Sequence, residues 1–371
     1  MKSLYENSGE KRFTIQMINL INEGKVGTDD LSLRGLWEAM KQPDLSKSNV
    51  IGNHTINDID FTEALSSSAF PKITGALINK KVQESYDLEY GIGDMLVTKI
   101  PSSVKDETIV GFGADNVMKE VHEGIDYEEG SITEKYHKIK NTKYGRIISL
   151  TKEMVMFDQT GQMMLKAKEI GEAAKSSHEK TIMNAVLELT STGLKAAWRP
   201  GGNAVTLYSD ASADPYTTAT LDNLGTEALT DETDLQAALT LFAQFTDEQG
   251  LPIRVTPKIL LTGLSLKSIA NQICYSGQST LATAPSGNTN IFTGTQALDT
   301  TFIDQELSAT AWFYGDFKKQ FVYTEVAPLQ VAQQGRDSES AFNADIIERY
   351  KVGYYGGCGA ITNRYVVKGK A

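Results

Sequence analysis

The side chains best suited to chemistry are few, and their spacing is unhelpful to it. There are four histidines, His54, His122, His137 and His178, and no two have the HxxxH or HExxH spacing that sets a zinc pair on one helix face. The two cysteines, Cys274 and Cys358, form no CxxC pair. Neither a disulfide framework nor a cysteine-based zinc site is therefore expected. Cys358 stands in Gly356-Gly357-Cys358-Gly359 and no histidine follows it in the chain. Glycines inside a strand-like run such as YKVGYYGGCGAIT mark a bend or a close backbone approach more readily than a nucleophile loop. No Walker GxxxxGK[ST], no GxSxG elbow and no GxGxxG after a strand occurs. The stretch SDASAD lacks the spaced acids and closing Glu of an EF-hand, so no metal and no cofactor is expected. Acid pairs such as Glu128-Glu129, or Asp345 with Glu348, read as surface charge. No catalytic residue is assigned.

Charge points to contacts instead. From Glu120 to Glu134 there are six acids (Glu120, Glu123, Asp126, Glu128, Glu129, Glu134) and no Lys or Arg. From Lys135 to Lys152 there are six bases (Lys135, Lys138, Lys140, Lys143, Arg146, Lys152) and no acid. Glu129-Gly130-Ser131 is a turn signal between them. YHKIKNTKYGRIISLT is rich in Tyr, Ile and Thr, as strands are. The pattern within 112–152 predicts an antiparallel hairpin with acidic and basic strands side by side, each cross-strand pair contributing roughly 0.2–1 kcal/mol. Few of its side chains suit burial on either face. Two readings fit: a solvated hairpin with internal ion pairs, or a long arm lying on a neighbouring molecule.

These residues must be carried by larger elements. The longest predicted helix spans 159–190, with Met164, Ala167, Ile170, Gly171, Ala174, His178, Ile182, Ala185 and Leu189 on one face. Lys166, Lys168, Glu169, Glu172, Lys175 and Glu179 would form its solvated side, and His178 reads as a core-edge histidine. A second helix is predicted over 231–249, capped by Asp231 or Thr233 and closed by Gly250. Residues 61–90 suggest a helix or a mixed segment. Short strands are expected at 95–100, 257–262, 311–317, 320–325 and 329–332, a short helix at 264–275, and a Tyr- and Ile-rich strand region at 344–367. Residues 195–230 and 276–300 read as loops. Within residues 1–45, Phe13, Met17, Leu20 and Ile21 suggest one amphipathic helix; Leu33, Leu36, Trp37 and Met40 suggest another. Residues 1–60 read as a mobile arm, or as an arm docking on a neighbour through Trp37.

Composition bounds the rest. Lys and Arg number 36 and Asp and Glu 47, a net charge of −11, with 40% hydrophobic residues. That hydrophobic fraction suffices for a sizeable core, and the length of 371 residues predicts about two to three folding units. The acidic balance argues against a free-standing DNA binder, which needs clustered Lys and Arg, while leaving room for a container that holds nucleic acid without gripping it. MKSLYENSGEKRF lacks an apolar signal core, and no apolar run reaches ~18 residues. A soluble chain made in a reducing cytoplasm is expected.

Three segments taken together resemble a known family. They are AFPKITGALINKKVQESYD with VTKIPSSVKDETIVGFG and the charged hairpin; the helix DQTGQMMLKAKEIGEAAKSSHEKTIMNAV; and AWFYGDFKKQFVYTEVAPLQV with AFNADIIERYKVGYYGGCGAITNRYVV. In order and spacing, residues 61–371 resemble tailed-bacteriophage major capsid proteins of the HK97-like fold. The resemblance implies an α+β protein. Residues 1–60 would be an N-terminal arm, 61–104 the start of the peripheral domain and 105–152 the extended loop. Residues 153–230 would be peripheral domain with its spine helix at 159–190, residues 231–328 the axial domain, and 329–371 return strands. It implies no enzyme. It implies a subunit that self-assembles as hexamers and pentamers of an icosahedral head, made in the bacterial cytoplasm and enclosing double-stranded DNA without sequence-specific binding. Portal, scaffold and decoration proteins would be its partners.

Trp37, Glu123, Asp126, Glu128, Glu129, Lys135, Lys138, Lys140, Lys143 and Arg146 are the candidate contacts between subunits. Some members carry a longer N-terminal domain that a protease removes; residues 1–60 are short for that, so an uncleaved chain and a separate scaffold are expected. Some members crosslink a loop Lys to an Asn of a neighbour. Here Asn343 and Asn363 match no such motif, and a non-covalent shell is expected. The alternatives are an encapsulin-like non-viral shell, an enzyme whose site leaves no local motif, and a tail or adhesion protein.

Overall fold

The computed structural model describes residues 12, 14–23, 25, 69–88, 91–113, 133–151, 162–189, 206–209, 212–213, 220–247, 251–278, 290–334 and 346–369. Its helices are α1 (residues 14–22), α2 (Ala69–Leu88), α3 (Gly93–Leu96), α4 (Gln162–Val186), α5 (Glu232–Gln244), α6 (Lys267–Tyr275), α7 (Thr301–Glu306) and α8 (Phe317–Gln320). Its strands are β1 (Thr98–Pro101), β2 (Asp106–Gly113), β3 (Thr133–Lys140), β4 (Thr142–Thr151), β5 (Ser212–Ala213), β6 (Thr220–Leu221), β7 (Leu224–Gly225), β8 (Ile259–Thr262), β9 (Gln296–Asp299), β10 (Trp312–Gly315), β11 (Phe321–Gln334), β12 (Ile346–Ala360) and β13 (Val366–Gly369). They form a four-stranded sheet in the order β1-β11-β12-β4, a five-stranded sheet β7-β13-β10-β8-β9, and the pairs β2-β3 and β5-β6. The protein is a mixed α+β chain. No described helix is long and apolar enough to cross a membrane.

Two compact units divide the chain. The first takes Met1–Tyr90, Lys143–Ser177 and Ala327–Tyr354; the second takes Gly91–Thr142, His178–Val326 and Tyr355–Ala371. In the first, α2 buries Ile73, Leu77, Ile78 and Val82, which recur at helical steps. Met17 and Ile21 of α1 are buried one turn apart, and Lys80 donates to the Ile21 carbonyl. Gly171 of α4 sits where helices meet: a Cβ there would lie 2.5 Å from the Val82 carbonyl oxygen and 2.7 Å from Ser85 Cβ. Only hydrogen lets the backbones come this close.

The second unit is built on the five-stranded sheet, both faces of which are covered. Leu261, Phe313 and Val366 join one apolar cluster with Ile182, Met183 and Val186 of α4. Leu260, Trp312, Tyr314 and Val367 join another with Leu235 and Phe242 of α5 and Ile273 of α6. Burial on both faces is why β8 and β10 read as unbroken apolar runs instead of alternating ones. Asp231 caps α5 by accepting from Thr233 N at 2.8 Å, while the Asp234 carboxylate accepts from Asp231 N at 3.1 Å. Those reciprocal bonds satisfy donors a helix start leaves open.

Several sequence expectations are sharpened or corrected. Residues 69–88 are wholly helical. The strand expected at 95–100 starts only at Thr98, because 93–96 form a helical turn. The helix expected to run to Gly250 stops at Gln244: Phe245 turns extended, and Thr246 bridges Pro252. The two strands expected at 320–325 and 329–332 are one, β11. The long helix runs from 162 to 186, roughly 37 Å at 1.5 Å per residue.

The end of that helix has a physical cause. Leu189 N donates to the Asn184 carbonyl at 3.1 Å, and Glu188 takes φ 54°. This is the left-handed closure usually given to glycine. The Glu188 carboxylate accepts from Leu207 N at 2.5 Å and Tyr208 N at 3.3 Å, ligands that offset the backbone strain. Its pKa is raised by burial, against the pull of those two N–H groups and of Lys368.

The solvated side assigned to this helix also needs correction. Lys175 and Glu179 are buried. The Lys175 ammonium lies over the Tyr86 ring, 5.1 Å from its centre. Glu179 accepts from Ile92 N at 3.0 Å and from Gly93 N at 2.9 Å. Both charges are inside because each has a fixed partner there, which composition does not reveal.

Candidate assembly surface

The hairpin forms, with a different pairing from the expected one. β2 and β3 run antiparallel with Asp106 opposite Lys140, Thr108 opposite Lys138 and Val110 opposite Tyr136. The basic strand therefore lies against residues 106–113. Of the expected acidic strand, residues 120–132 lie outside the described ones, Glu123, Asp126, Glu128 and Glu129 among them, as does Trp37. Phe112 stands opposite Glu134. Lys135 stands opposite Gly111 in the ladder.

The two faces of the hairpin differ. Tyr136, Lys138 and Lys140 are exposed, and so are their partners Val110, Thr108 and Asp106. The Lys138 ammonium sits 5.7 Å from the centre of the Tyr136 ring. His137 and Ile139 alternate with these and are buried. Ile139 packs where a Cβ on Gly359 would come within 2.8 Å of it. The outer face thus displays Lys138, Lys140 and the apolar Val110 and Tyr136, while the inner face anchors the root.

The root is held by a residue that sequence reading passed over. Asn141 lies between β3 and β4 and is buried. Its Nδ2 donates to the Val104 carbonyl at 2.8 Å and to Ser102 Oγ at 3.2 Å. Its Oδ1 accepts from Thr324 Oγ1 at 2.5 Å, and its backbone N donates to the Lys105 carbonyl at 2.9 Å. Ser102 N in turn donates to Glu325 of β11 at 2.9 Å. The available signal was a lone amide breaking a β-rich run. Asn141→Ala removes the three side-chain bonds, keeps the backbone one to Lys105 and strands buried partners, at a cost of about 2 kcal/mol in local opening. Hydrogen exchange checks it: amides of 106–113 and 133–140 are expected to exchange ~30-fold faster, with the rest of the second unit unchanged. Unaltered protection of the hairpin would refute the latch.

Beyond Asn141 the chain enters β4, so Lys143 and Arg146 belong to the four-stranded sheet and not to the hairpin. Both are exposed. Of residues 105–152, Asp106–Gly113 and Thr133–Lys140 pair with each other, and Thr142–Thr151 is a strand of the four-stranded sheet. The reason is register: β4 pairs with β12, where Gly145 approaches Val352 and Gly353.

The residues examined for chemistry are structural in place. His178 is buried, edge-on to Tyr323 with ring centres 4.6 Å apart, and its Nδ1 is 3.9 Å from Asp94. Gly356 and Gly357 of the glycine run are close approaches, as their type suggested: Cβ atoms there would meet Tyr323 Oη at 2.4 Å and the Lys140 carbonyl at 2.5 Å. Desolvation pushes the thiols of Cys274 and Cys358 up to about 12. At pH 8 only about one thiol in ten thousand would ionise, and the thiolate is the reactive form. Both cysteines are expected to resist iodoacetamide in the native chain and to label fully after denaturation. Rapid native labelling at pH 8 would refute this. Among the described residues no group of three His, Cys, Asp or Glu side chains is placed to hold a metal.

Comparison with solved structures finds similarity to Gordonia phage Cozz, with a TM-score of 0.49, 10% identity and coverage of 87% of this chain and 98% of that one. The chain is also similar to the capsid of a native GTA particle, with a TM-score of 0.47, 10% identity and coverage of 75% and 89%. Similarity to the capsid of cyanophage P-SCSP1u has a TM-score of 0.46, 14% identity and coverage of 76% and 88%. Comparison with curated protein sequences finds no match. The family model described as phage capsid protein matches residues 135–369, well over half of the chain. The chain therefore belongs to the phage capsid protein family, as a structural, non-enzymatic component of the virion head.

Proposed function

We propose that this chain is the major capsid subunit of an HK97-like head, assembling as hexamers and pentamers into an icosahedral shell around double-stranded DNA. The family match over 135–369 carries the reading. The outward face of the hairpin supports it, since Lys138, Lys140, Val110 and Tyr136 are exposed there on a rooted element. In this reading residues 1–60 are an N-terminal arm, 106–140 the extended loop, 162–186 the spine helix and 231–328 most of the axial domain. A portal, a separate scaffold and a decoration protein are its partners. The acidic balance of the chain, −11 overall, leaves packaged DNA free of tight binding to the wall.

The test is negative-stain microscopy of the full chain expressed alone and with a candidate scaffold. Closed shells are the expected result. A monodisperse, compact monomer under both conditions would sink the proposal.

A further inference from the structure

One side chain ties down the end of α4. Glu188 takes φ 54°, a left-handed conformation usually left to glycine. Its carboxylate accepts from Leu207 N at 2.5 Å and from Tyr208 N at 3.3 Å, across 19 and 20 residues of chain. Tyr208 Oη donates to the Val186 carbonyl at 2.8 Å, a second tie to the same helix end. Asn223 extends the joint. Its Nδ2 donates to the carbonyls of Leu207 and Asn363, at 2.8 and 2.9 Å, and its own carbonyl accepts from Lys368 N. The helix end, residues 206–209 and β13 are thus joined around one carboxylate. All of them belong to the second unit.

That carboxylate sits at the rim of an apolar cluster. Val186, Leu187, Leu189, Leu207, Tyr208 and Phe313 are all buried in it. A charge placed there gives up water, which favours the protonated form, while the two N–H donors favour the ionised one. Lys368 of β13 also favours the ionised form. Its ammonium lies 5.7 Å from the centre of the Tyr208 ring and 5.6 Å from that of Phe313. Tyr208 is the other titratable group beside the carboxylate, and it stays neutral. Burial and the Glu188 charge push its hydroxyl well above the ordinary value. β10, packed on the same cluster through Phe313, carries no charged side chain. Among the described residues no further charged group acts on Glu188. We propose that Glu188 is a proton-tightened clamp: uptake of one proton from solvent firms the grip of the α4 end on residues 206–209.

Which effect wins sets the direction. Burial is the largest, so the carboxyl of the closed joint is raised above its ordinary 4.5. Opening the joint returns the group to water and to 4.5. The closed form therefore holds the proton more tightly than the open form, and falling pH favours closure. That gain is complete below pH 4.5 and is lost as pH rises through the higher, closed-state value. At neutral pH the charge is held against its desolvation, and the joint opens most readily. Bond counting points the other way, since a neutral carboxyl keeps one full acceptor for two donors. The 3.3 Å bond from Tyr208 N is the weaker and the one given up. The clamp lies within one copy and acts whether or not shells form.

Hydrogen exchange of the full chain at pH 5 and pH 7 reads the joint, each rate being divided by the free-peptide rate at that pH. Opening at the Leu207 amide is expected to be at least about twofold rarer at pH 5 than at pH 7. Glu188→Gln removes the titration, so its opening should be the same at both pH values. Lys368→Met removes the cation that favours the ionised form, so the midpoint of the change should move to higher pH. A side chain with a purely structural role would produce neither result. Equal opening of the parent at both pH values, or more frequent opening at pH 5, would overturn the clamp. So would a pH dependence that survives in Glu188→Gln. If either variant folds poorly, the pH dependence of the parent decides alone.

Discussion

Glu179→Ala is expected to lower the stability of the second unit by about 3–5 kcal/mol, the larger of the polar effects in this chain. The carboxylate is buried and accepts from two backbone N–H groups, those of Ile92 and Gly93, at 2.9–3.0 Å. These open the short helix α3, whose N-cap residue Ile92 offers no side-chain cap of its own. Bonds to an ionised acceptor contribute about 1.5–3 kcal/mol each, and the truncation leaves both donors dry. Gly93 belongs to the same device: a Cβ there would stand 2.7 Å from the Glu179 carboxylate. Glu179→Gln keeps one accepting oxygen but turns an NH2 toward a donor, so a loss of about 2 kcal/mol is expected. Urea unfolding followed by circular dichroism measures both. A loss below about 1 kcal/mol for the alanine variant would show that water takes over the two donors.

Gly171→Leu is the largest expected packing effect, about 3–5 kcal/mol and a strong fall in folded yield. Two terms compete here. Replacing glycine within a helix gains up to about 1 kcal/mol in backbone propensity. Against this, the Cβ would lie 2.5 Å from the Val82 carbonyl oxygen and 2.7 Å from Ser85 Cβ, so α2 and α4 must part. Backbone cannot step aside as a side-chain tip can, and the clash wins. Ala173→Leu, exposed on the same helix, is the control and should shift stability by no more than about 0.5 kcal/mol. Equal melting of the two variants would refute the close crossing.

Both residues show where sequence reading was sound and where it stopped. Gly171 fell on the apolar stripe of the long helix by spacing alone, and it is buried there. Glu179 lies eight residues on, and Lys175 midway, so all three share one face at steps of four. By type the two charged residues belong in solvent, although their spacing sets them beside the stripe. Only Ile92, Gly93 and Tyr86, remote in sequence, could reveal the partners that make their burial tolerable. The same holds for Asn141, whose partners Ser102, Val104 and Thr324 come from three other places in the chain.

The charged hairpin makes the division plainest. Its turn-flanked, β-rich composition was local information, and local information determined that residues 133–140 would be a strand. Composition likewise set the long helix, the capped start of α5 at Asp231 and the absence of motif chemistry, because caps and periodicity act within a few residues. Which strand would lie beside which was decided by tertiary structure. Residues 106–113 pair with the basic strand, and β4 crosses to another sheet, so Lys140 and Lys143, three residues apart, lie in different units. Strand pairing is non-local: its energy comes from neighbours distant in sequence, and the buried amide of Asn141, between β3 and β4, is held by partners from three such places.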